Sequence, residues 1–310
     1  MDYYFAPLEG ITNYLFRRIH SRHFPGIRKY FAPFISPNQS RKVMTKEMKD
    51  LLPENNEGLE LVPQILTNSS QGFIDTAKKL IQLGYHQVNL NLGCPSGTVV
   101  AKHKGAGFLA DPDALDRFLD QIFQSTDMEI SVKTRLGMAD GDEFYRLLDI
   151  YNQYPIAELI IHPRIREDYY KFHPRMNYFD YAADHSKNIL CYNGDLFSCE
   201  DCRMFSEKYP KIDRIMAGRG LLMDPGMVWK LTQKDAPMGQ EREKIVDFHN
   251  ELYEAYRQVM SGERSVLFKM KEVWSYMIAS FPGNEKNMKK IKKASSLADY
   301  EAAVGQIFRS

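Results

Sequence analysis

Cys94 stands in the segment VNLNLGCPSGTVVAKHKGAGFLADP, residues 88–112, just past a short apolar run and beside Asn91, Gly93 and Pro95. A structural cysteine belongs inside such a run. This one falls where a loop begins, so its thiol is presented for chemistry. The plain alternative is an inert small residue at a strand end. Other reactive or polar residues also fall at the ends of apolar runs. They are Gln64, Lys133 with Arg135, His162 with Arg164, Asn193 with Gly194 and Asp195, and Gly218 with Arg219. A further run ends in APLEG, which holds Pro7 and Leu8. Any one of these reads as a polar group satisfying a neighbour. Their recurrence at the same end of seven runs is hard to assign to packing.

The glycines in NGD (193–195) and AGRG (217–220) let a backbone approach a ligand closely, and Arg219 adds charge. With Lys133 and His162 nearby, these turns favour a phosphorylated cofactor over two plain turns and a solvated arginine. In barrels such a group sits after the seventh and eighth strands, at backbone N–H groups near a helix N-terminus.

The elements that must position these residues recur at a regular rhythm. Strand-like runs cover residues 3–7, 29–35, 59–66, 87–93, 129–135, 158–163, 189–194 and 214–220. Most are short and almost continuously apolar, as parallel strands covered by helices are. Helical patterns fill the gaps. In residues 70–84, Phe73, Ala77, Leu80 and Ile81 form one stripe, with Ser70 as N-cap and Gly84 as the stop. In residues 111–125, Asp111 caps, Pro112 takes the first helical position, and Leu115, Leu119 and Ile122 point inward. Eight such units predict a (β/α)8 TIM barrel in residues 1–235, with an open doubly wound sheet as the competing arrangement. After KDAPMGQ (234–240) the pattern is helical only, with Ile245, Phe248, Leu252, Tyr256 and Val259 in one stripe. A small C-terminal helical bundle is expected over 236–310.

Bulk properties narrow the function classes. A hydrophobic share of 44% and a charged share of 26% are ordinary for a globular chain. The longest apolar runs are strand-sized, so no membrane span is expected. The start, MDYYFAPLEG, lacks the layout of a signal peptide. Four cysteines form no disulfide framework, so a cytoplasmic location is expected. The net charge is only +1, so a nucleic-acid surface must come from a local patch. Lys286, Lys289, Lys290 and Lys293 share one helical face opposite Met288 and Ile291, and Arg264, Lys269 and Lys271 are candidates to extend it. Two other motifs carry less. GAGFLA (105–110) has a dinucleotide-binding spacing but no strand before it, and CEDC (199–202) lacks further ligands at zinc spacing, so no metal is expected.

The ordered set APLEGITNYLFRR, PQILTN, NLNLGCPSGTV with KGAGFLADP, VKTRLG, IIHPR, YNGD and AGRG resembles the flavin-dependent tRNA-dihydrouridine synthases. The resemblance covers almost the whole chain, and FKMKEVWSYM is similar to that family's C-terminal domain. It implies a barrel holding FMN, NADPH as reductant, and tRNA clamped between barrel and helical tail by a cytoplasmic monomer. By position it implies that Pro7, Leu8 and Gln64 line the flavin ring, that Lys133 reaches the flavin, and that His162 lies near its phosphate side. It places Arg164 at the cofactor as well. Asn193, Gly194, Asp195, Gly218 and Arg219 would meet ribityl and phosphate groups, and Cys94 would be the catalytic acid.

The implied reaction is reduction of the C5–C6 bond of uridine to dihydrouridine, with a hydride from reduced flavin and a proton from the opposite face. A thiol with a near-normal pKa is mostly protonated at neutral pH and suits that second role. Asn91 and Lys133 would polarise carbonyls of uracil or flavin. The chain departs from the family pattern at Thr98, where lysine is common, and at Pro163, where glycine is common. Lys102 or Lys104 would then supply the missing basic contact to RNA. These departures keep ribosomal RNA open as a substrate. A barrel flavoenzyme for a small pyrimidine and a catalytically idle RNA-binding protein are the rival readings. The basic tail argues against the first, and Cys94, Lys133 and His162 argue against the second.

Overall fold

The computed structural model describes residues 1–37, 46–233 and 240–310. The expected boundary between residues 235 and 236 lies outside the described residues. Nine strands form one parallel sheet: β1 (Asp2–Phe5), β2 (Ile27–Phe31), β3 (Leu61–Val62), β4 (Gln64–Ile65), β5 (Gln87–Leu92), β6 (Glu129–Arg135), β7 (Leu159–His162), β8 (Leu190–Asn193) and β9 (Arg214–Ala217). The order is β3-β2-β1-β9-β8-β7-β6-β5-β4. Its two edges, β3 and β4, are consecutive pieces of one stretch, so the sheet curls into a barrel. The predicted third strand is therefore split at Pro63, which has no N–H to give to a ladder. Its carbonyl still accepts from Asn89 N–H at 2.8 Å. Closure, not an open doubly wound sheet, is the outcome.

The strands pack on both faces, and the two faces differ. Tyr4, Ala6, Phe31, Val62, Ile160, Cys191 and Met216 form a separate apolar cluster inside the barrel. Phe5, Tyr30, Leu90, Val132, Ile161, Tyr192 and Ile215 belong to the larger core between strands and helices. Side chains alternate along a strand, so Gln64, Asn89, Asn91, Ser131, Lys133, His162 and Asn193 share the interior register.

Local sequence sets the helices that brace these strands. Asp111 Oδ1 accepts from Ala114 N–H, and Pro112 opens the helix Pro112–Ser125, as expected. Ser69, not Ser70, caps the helix Ser70–Gln82: its Oγ accepts from Gly72 N–H at 3.2 Å. Ile81 is 47% exposed, because it lies about 100° round the helix from buried Leu80. Thr76 completes the buried face instead.

The C-terminal region is helical, with helices Gln240–Val259, Glu263–Met277, Glu285–Lys293 and Leu297–Arg309. Ile245, Phe248, Leu252 and Tyr256 are buried, but Val259, at the helix end, is 58% exposed. Phe248 packs edge-on against Phe16, with ring centroids 5.4 Å apart, and against Phe24 at 5.7 Å. The tail is thereby seated on the first barrel helix, Tyr14–His23.

Candidate functional site at the C-terminal end of the barrel

A single pocket collects residues from the ends of β1, β6, β7, β8 and β9. Pro7, Leu8, Lys133, His162, Asn193, Gly194, Asp195, Gly218 and Arg219, all singled out from sequence, line it. Tyr170 and Phe197 line it too, and sequence reasoning missed both. Tyr170 lies in the long loop between His162 and Met176 and Phe197 in the short one between Asn193 and Cys199, and no periodicity marks which ring turns inward in either. Gly220 is required by packing: a Cβ there would stand 1.9 Å from Leu196 O. The helix after Gly218 covers only Arg219–Met223. So short a helix has little macrodipole to offer, and Arg219 and the open backbone are what β9 contributes.

Charge at this end is unbalanced. The Arg164 guanidinium grips Asp195 through two bonds, of 2.9 and 2.6 Å, and Arg219 reaches the same carboxylate at 3.1 Å. Arg164 is buried behind the pocket wall rather than on it, and positions Asp195. Arg135 gives its donors to the carbonyls of Gly93 (2.9 Å), Ile165 (3.0 Å) and Tyr169 (3.0 Å) and lies over the Tyr170 ring, with no ion pair to a carboxylate among the described residues. The Lys133 amine has no hydrogen-bond or ion-pair partner among the described residues. Burial, then the charge of Arg135, lowers its pKa to about 8. His162 is held well below the usual histidine range by burial and by Arg135, Lys133, Arg164 and Arg219. It is therefore neutral near pH 7. Arg164 Nη1 donates to His162 Nε2 at 2.9 Å, which leaves the ring proton on Nδ1.

The cysteine loop is held from below. Asn91 Oδ1 accepts from Gly93 N–H at 3.1 Å and from Cys94 N–H at 2.9 Å. Asn91 Nδ2 donates to Gln64 Oε1 at 2.7 Å, and Gln64 Nε2 donates to Asn89 Oδ1 at 2.7 Å. Gln64 and Asn91 thus form a buried ladder under the loop and do not line the pocket at β7–β9. From above, Gly105 leaves no room for a side chain: with φ +56°, a Cβ would come within 2.9 Å of Cys94 O. GAGFLA is a 3₁₀ turn packed on this loop, as the missing strand before it indicated. Burial pushes the half-buried Cys94 thiol up, against the opposing pull of a Ser96 backbone contact and of Arg135 and Lys133. The thiol is protonated at neutral pH.

The two departures are accommodated. Pro163 is buried, and its carbonyl accepts from Arg175 N–H at 2.6 Å. Thr98 bonds Ser96 at 3.1 Å. Among the candidate RNA contacts, Lys102 is exposed and Lys104 half-buried beyond the cysteine loop. Lys286, Lys289, Lys290 and Lys293 are exposed on the helix that buries Met288 and Ile291. Lys269 and Lys271 do not extend that patch: they turn to Gly10 O and Ala294 O.

Comparison with known proteins fits this geometry. The family model described as dihydrouridine synthase matches residues 4–309. A probable tRNA-dihydrouridine synthase of Staphylococcus aureus (strain COL) is 28% identical over 227 residues, covering 71% of this chain and 68% of its own. Probable tRNA-dihydrouridine synthase 1 of Synechocystis is 25% identical over 291 residues, covering 90% and 78%. Among solved structures, histamine dehydrogenase from Rhizobium sp. 4-9 superposes with TM-score 0.56 at 11% identity, over 80% of this chain. The match spans less than half, 46%, of that larger protein. The old yellow enzyme from Trypanosoma cruzi gives TM-score 0.52 at 8% identity, over 76% of this chain and 88% of its own. At these identities the likeness establishes the barrel fold alone.

Proposed function

The chain belongs to the dihydrouridine synthase family, and on that premise we propose that it reduces uridines in tRNA to dihydrouridine with bound FMN, NADPH as electron source and Cys94 as acid. The observation that carries the reading is the uncompensated cation at the pocket floor. Among the described residues Lys133 has no hydrogen-bond or ion-pair partner, and Pro7 and Leu8 give an apolar wall beside it. Asn193, Gly194, Gly218 and Arg219 close the far side. An apolar wall, a lone amine and an arginine-flanked glycine turn together fit a flat ring carrying a phosphate.

When bound, reduced FMN supplies a hydride for C6 of uracil. The residues of the chain divide the remaining work. The Cys94 thiol, protonated at neutral pH, delivers a proton to C5. Asn91 fixes the Cys94 backbone so that the thiol stays on one side of the substrate. Lys133 donates a charged hydrogen bond into the pocket. Neutral His162, with its proton on Nδ1, is a donor whose orientation Arg164 sets. Arg219 and the turn at Gly218 hold the phosphate. The target base must leave its stack to reach this depth, and Lys102, Lys104, Lys286, Lys289, Lys290 and Lys293 meet the RNA backbone. No helix among the described residues is long and apolar enough to cross a membrane; we place the enzyme in the cytoplasm as a monomer.

The test is reconstitution. Purified protein should be yellow with FMN and should form dihydrouridine in unmodified tRNA transcripts when NADPH is added. Dihydrouridine formed only in ribosomal RNA would redirect the substrate. A colourless protein that binds tRNA without modifying it would overturn the reading.

A further inference from the structure

We propose that the loop after β7, residues 166–175, is a stacking platform for the RNA nucleotides that flank the target uridine, with the rings of Tyr169 and Phe172 as its surface. This rests on the RNA reading above. Within four residues the loop exposes Tyr169 by 38%, Tyr170 by 50% and Phe172 by 61%. Aromatic rings in a loop normally fold under to hold it. Here polar anchors hold it instead. Arg135 Nη1 donates to Ile165 O and Tyr169 O, and Arg164 Nε donates to Phe172 O at 2.6 Å. Buried Asp168 accepts from Ile165 N–H at 3.1 Å and from Arg175 Nη2 at 3.0 Å. The Phe172 ring is therefore spared the holding of this loop, and the Tyr169 ring meets a cation of the loop rather than an apolar core, on a backbone that is already fixed.

Backbone and charge point the same way. Tyr169 has φ +49°, a region disfavoured for a bulky side chain. Glycine would relieve that strain, yet a tyrosine stands there. The Arg166 guanidinium lies over its ring, 4.9 Å from the centroid. Lys171 and His173 are exposed and have no side-chain partner among the described residues. Of the loop's two acids, Asp168 is paired with Arg175, leaving Glu167 against this cationic surface. Rings interleaved with cations suit single-stranded nucleic acid, where bases stack and phosphates need counter-charge. Position agrees: the intervening Tyr170 lines the pocket, so the backbone that carries Tyr169 and Phe172 borders it.

The test measures binding of an unmodified tRNA transcript to the full flavin-loaded protein at several salt concentrations. Phe172→Ala should weaken binding about tenfold, the usual scale for loss of one base–aromatic stack. Its salt dependence should match wild type, because no phosphate contact is lost. Phe172→Tyr should restore affinity, whereas Phe172→Leu should bind as poorly as the alanine variant. Tyr169→Gly should weaken binding without loss of thermal stability. Wild-type affinity in Phe172→Ala, or full rescue by leucine, overturns the platform while leaving the proposed function standing. The leucine result would mark a generic apolar contact, as for a protein partner. A wild-type protein that does not bind tRNA overturns both.

Discussion

At the N-terminal end of the barrel the Glu158 carboxylate accepts from Tyr4 Oη at 2.6 Å, Lys29 Nζ at 3.0 Å and Arg214 Nη1 at 3.1 Å. At the C-terminal end Lys133 Nζ meets no acceptor among the described residues, and Arg135 meets three carbonyls and the Tyr170 ring but forms no ion pair among those residues. Strands β7 and β9 carry members of both sets, Glu158 and Arg214 at one end, Arg164 and Arg219 at the other. At one end a buried acid is surrounded by cations and a phenol. At the other, two arginines share Asp195, and further cations are left over. A buried charge without a counter-charge is costly. One end therefore matches its acid with the chain's own cations, while the other holds more cations than acids, as the proposed anionic ligand requires.

The sharpest break concerns chemistry confined to the open end. Cys94→Ala should lose roughly 10²- to 10⁴-fold in dihydrouridine formation, the usual worth of a general acid. Flavin content and tRNA binding should persist, since both depend on other residues. Wild-type rates would remove the thiol from the reaction.

The closed end should respond in stability instead. Glu158→Ala removes the buried acid shared by Lys29 and Arg214 and leaves them only the longer pairs with Glu60 at 3.9 Å and Asp213 at 3.4 Å. Breaking a buried pair costs about 3–5 kcal/mol, and the lower end applies because both cations are partly solvated. Denaturant unfolding checks this, and the flavin site should be unaffected at temperatures where the variant stays folded. A Glu158→Ala protein of wild-type stability that loses flavin would reverse the assignment of the two ends.

A pH dependence sharpens the comparison further. With its pKa lowered to about 8, Lys133 is charged below that pH and neutral above it. An anion stabilises the charged form and raises the pKa in the complex. FMN affinity should therefore be greatest below pH 8 and fall as pH rises from there, by up to about tenfold per pH unit for one linked proton. Lys133→Met should bind more weakly and lose this dependence. Arg219→Ala should also weaken retention of FMN, and a variant that keeps full flavin through purification would place the phosphate elsewhere.

The smallest effect lies farthest from the pocket. Reversing Lys286, Lys289, Lys290 and Lys293 to glutamate should weaken tRNA binding and flatten its salt dependence, with flavin content unchanged. Unaltered affinity would remove this helix from the RNA surface.

Much of this was legible in the sequence because the relevant signals are local. Eight apolar runs with helices between them gave the barrel, and Asp111-Pro112 announced a helix start. Strand ends gave nine of the pocket-lining residues. What was not legible depended on long-range geometry. Pro63 splits a strand only because the barrel closes there. Asn91 reads as a contact to flavin or uracil until its carboxamide is seen holding Cys94 and Gly93. Arg164 reads as a ligand contact until Asp195 is seen between it and the pocket. Tyr170 and Phe197 sit in loops whose paths no periodicity encodes. One signal was available: Asn89 and Asn91, then Ser131, Lys133 and Arg135, place polar residues at alternate positions of buried strands. That period of two marks the barrel interior.

The most direct test of the central claim is an anaerobic single turnover at the open end. The flavin is reduced in the purified protein, excess reductant is removed, and unmodified tRNA is added while flavin absorbance is followed. Reoxidation should be matched by an equal amount of dihydrouridine and should not occur with free uridine or with no RNA. Reoxidation by free uridine at the same rate, or reoxidation by tRNA without dihydrouridine, would contradict it.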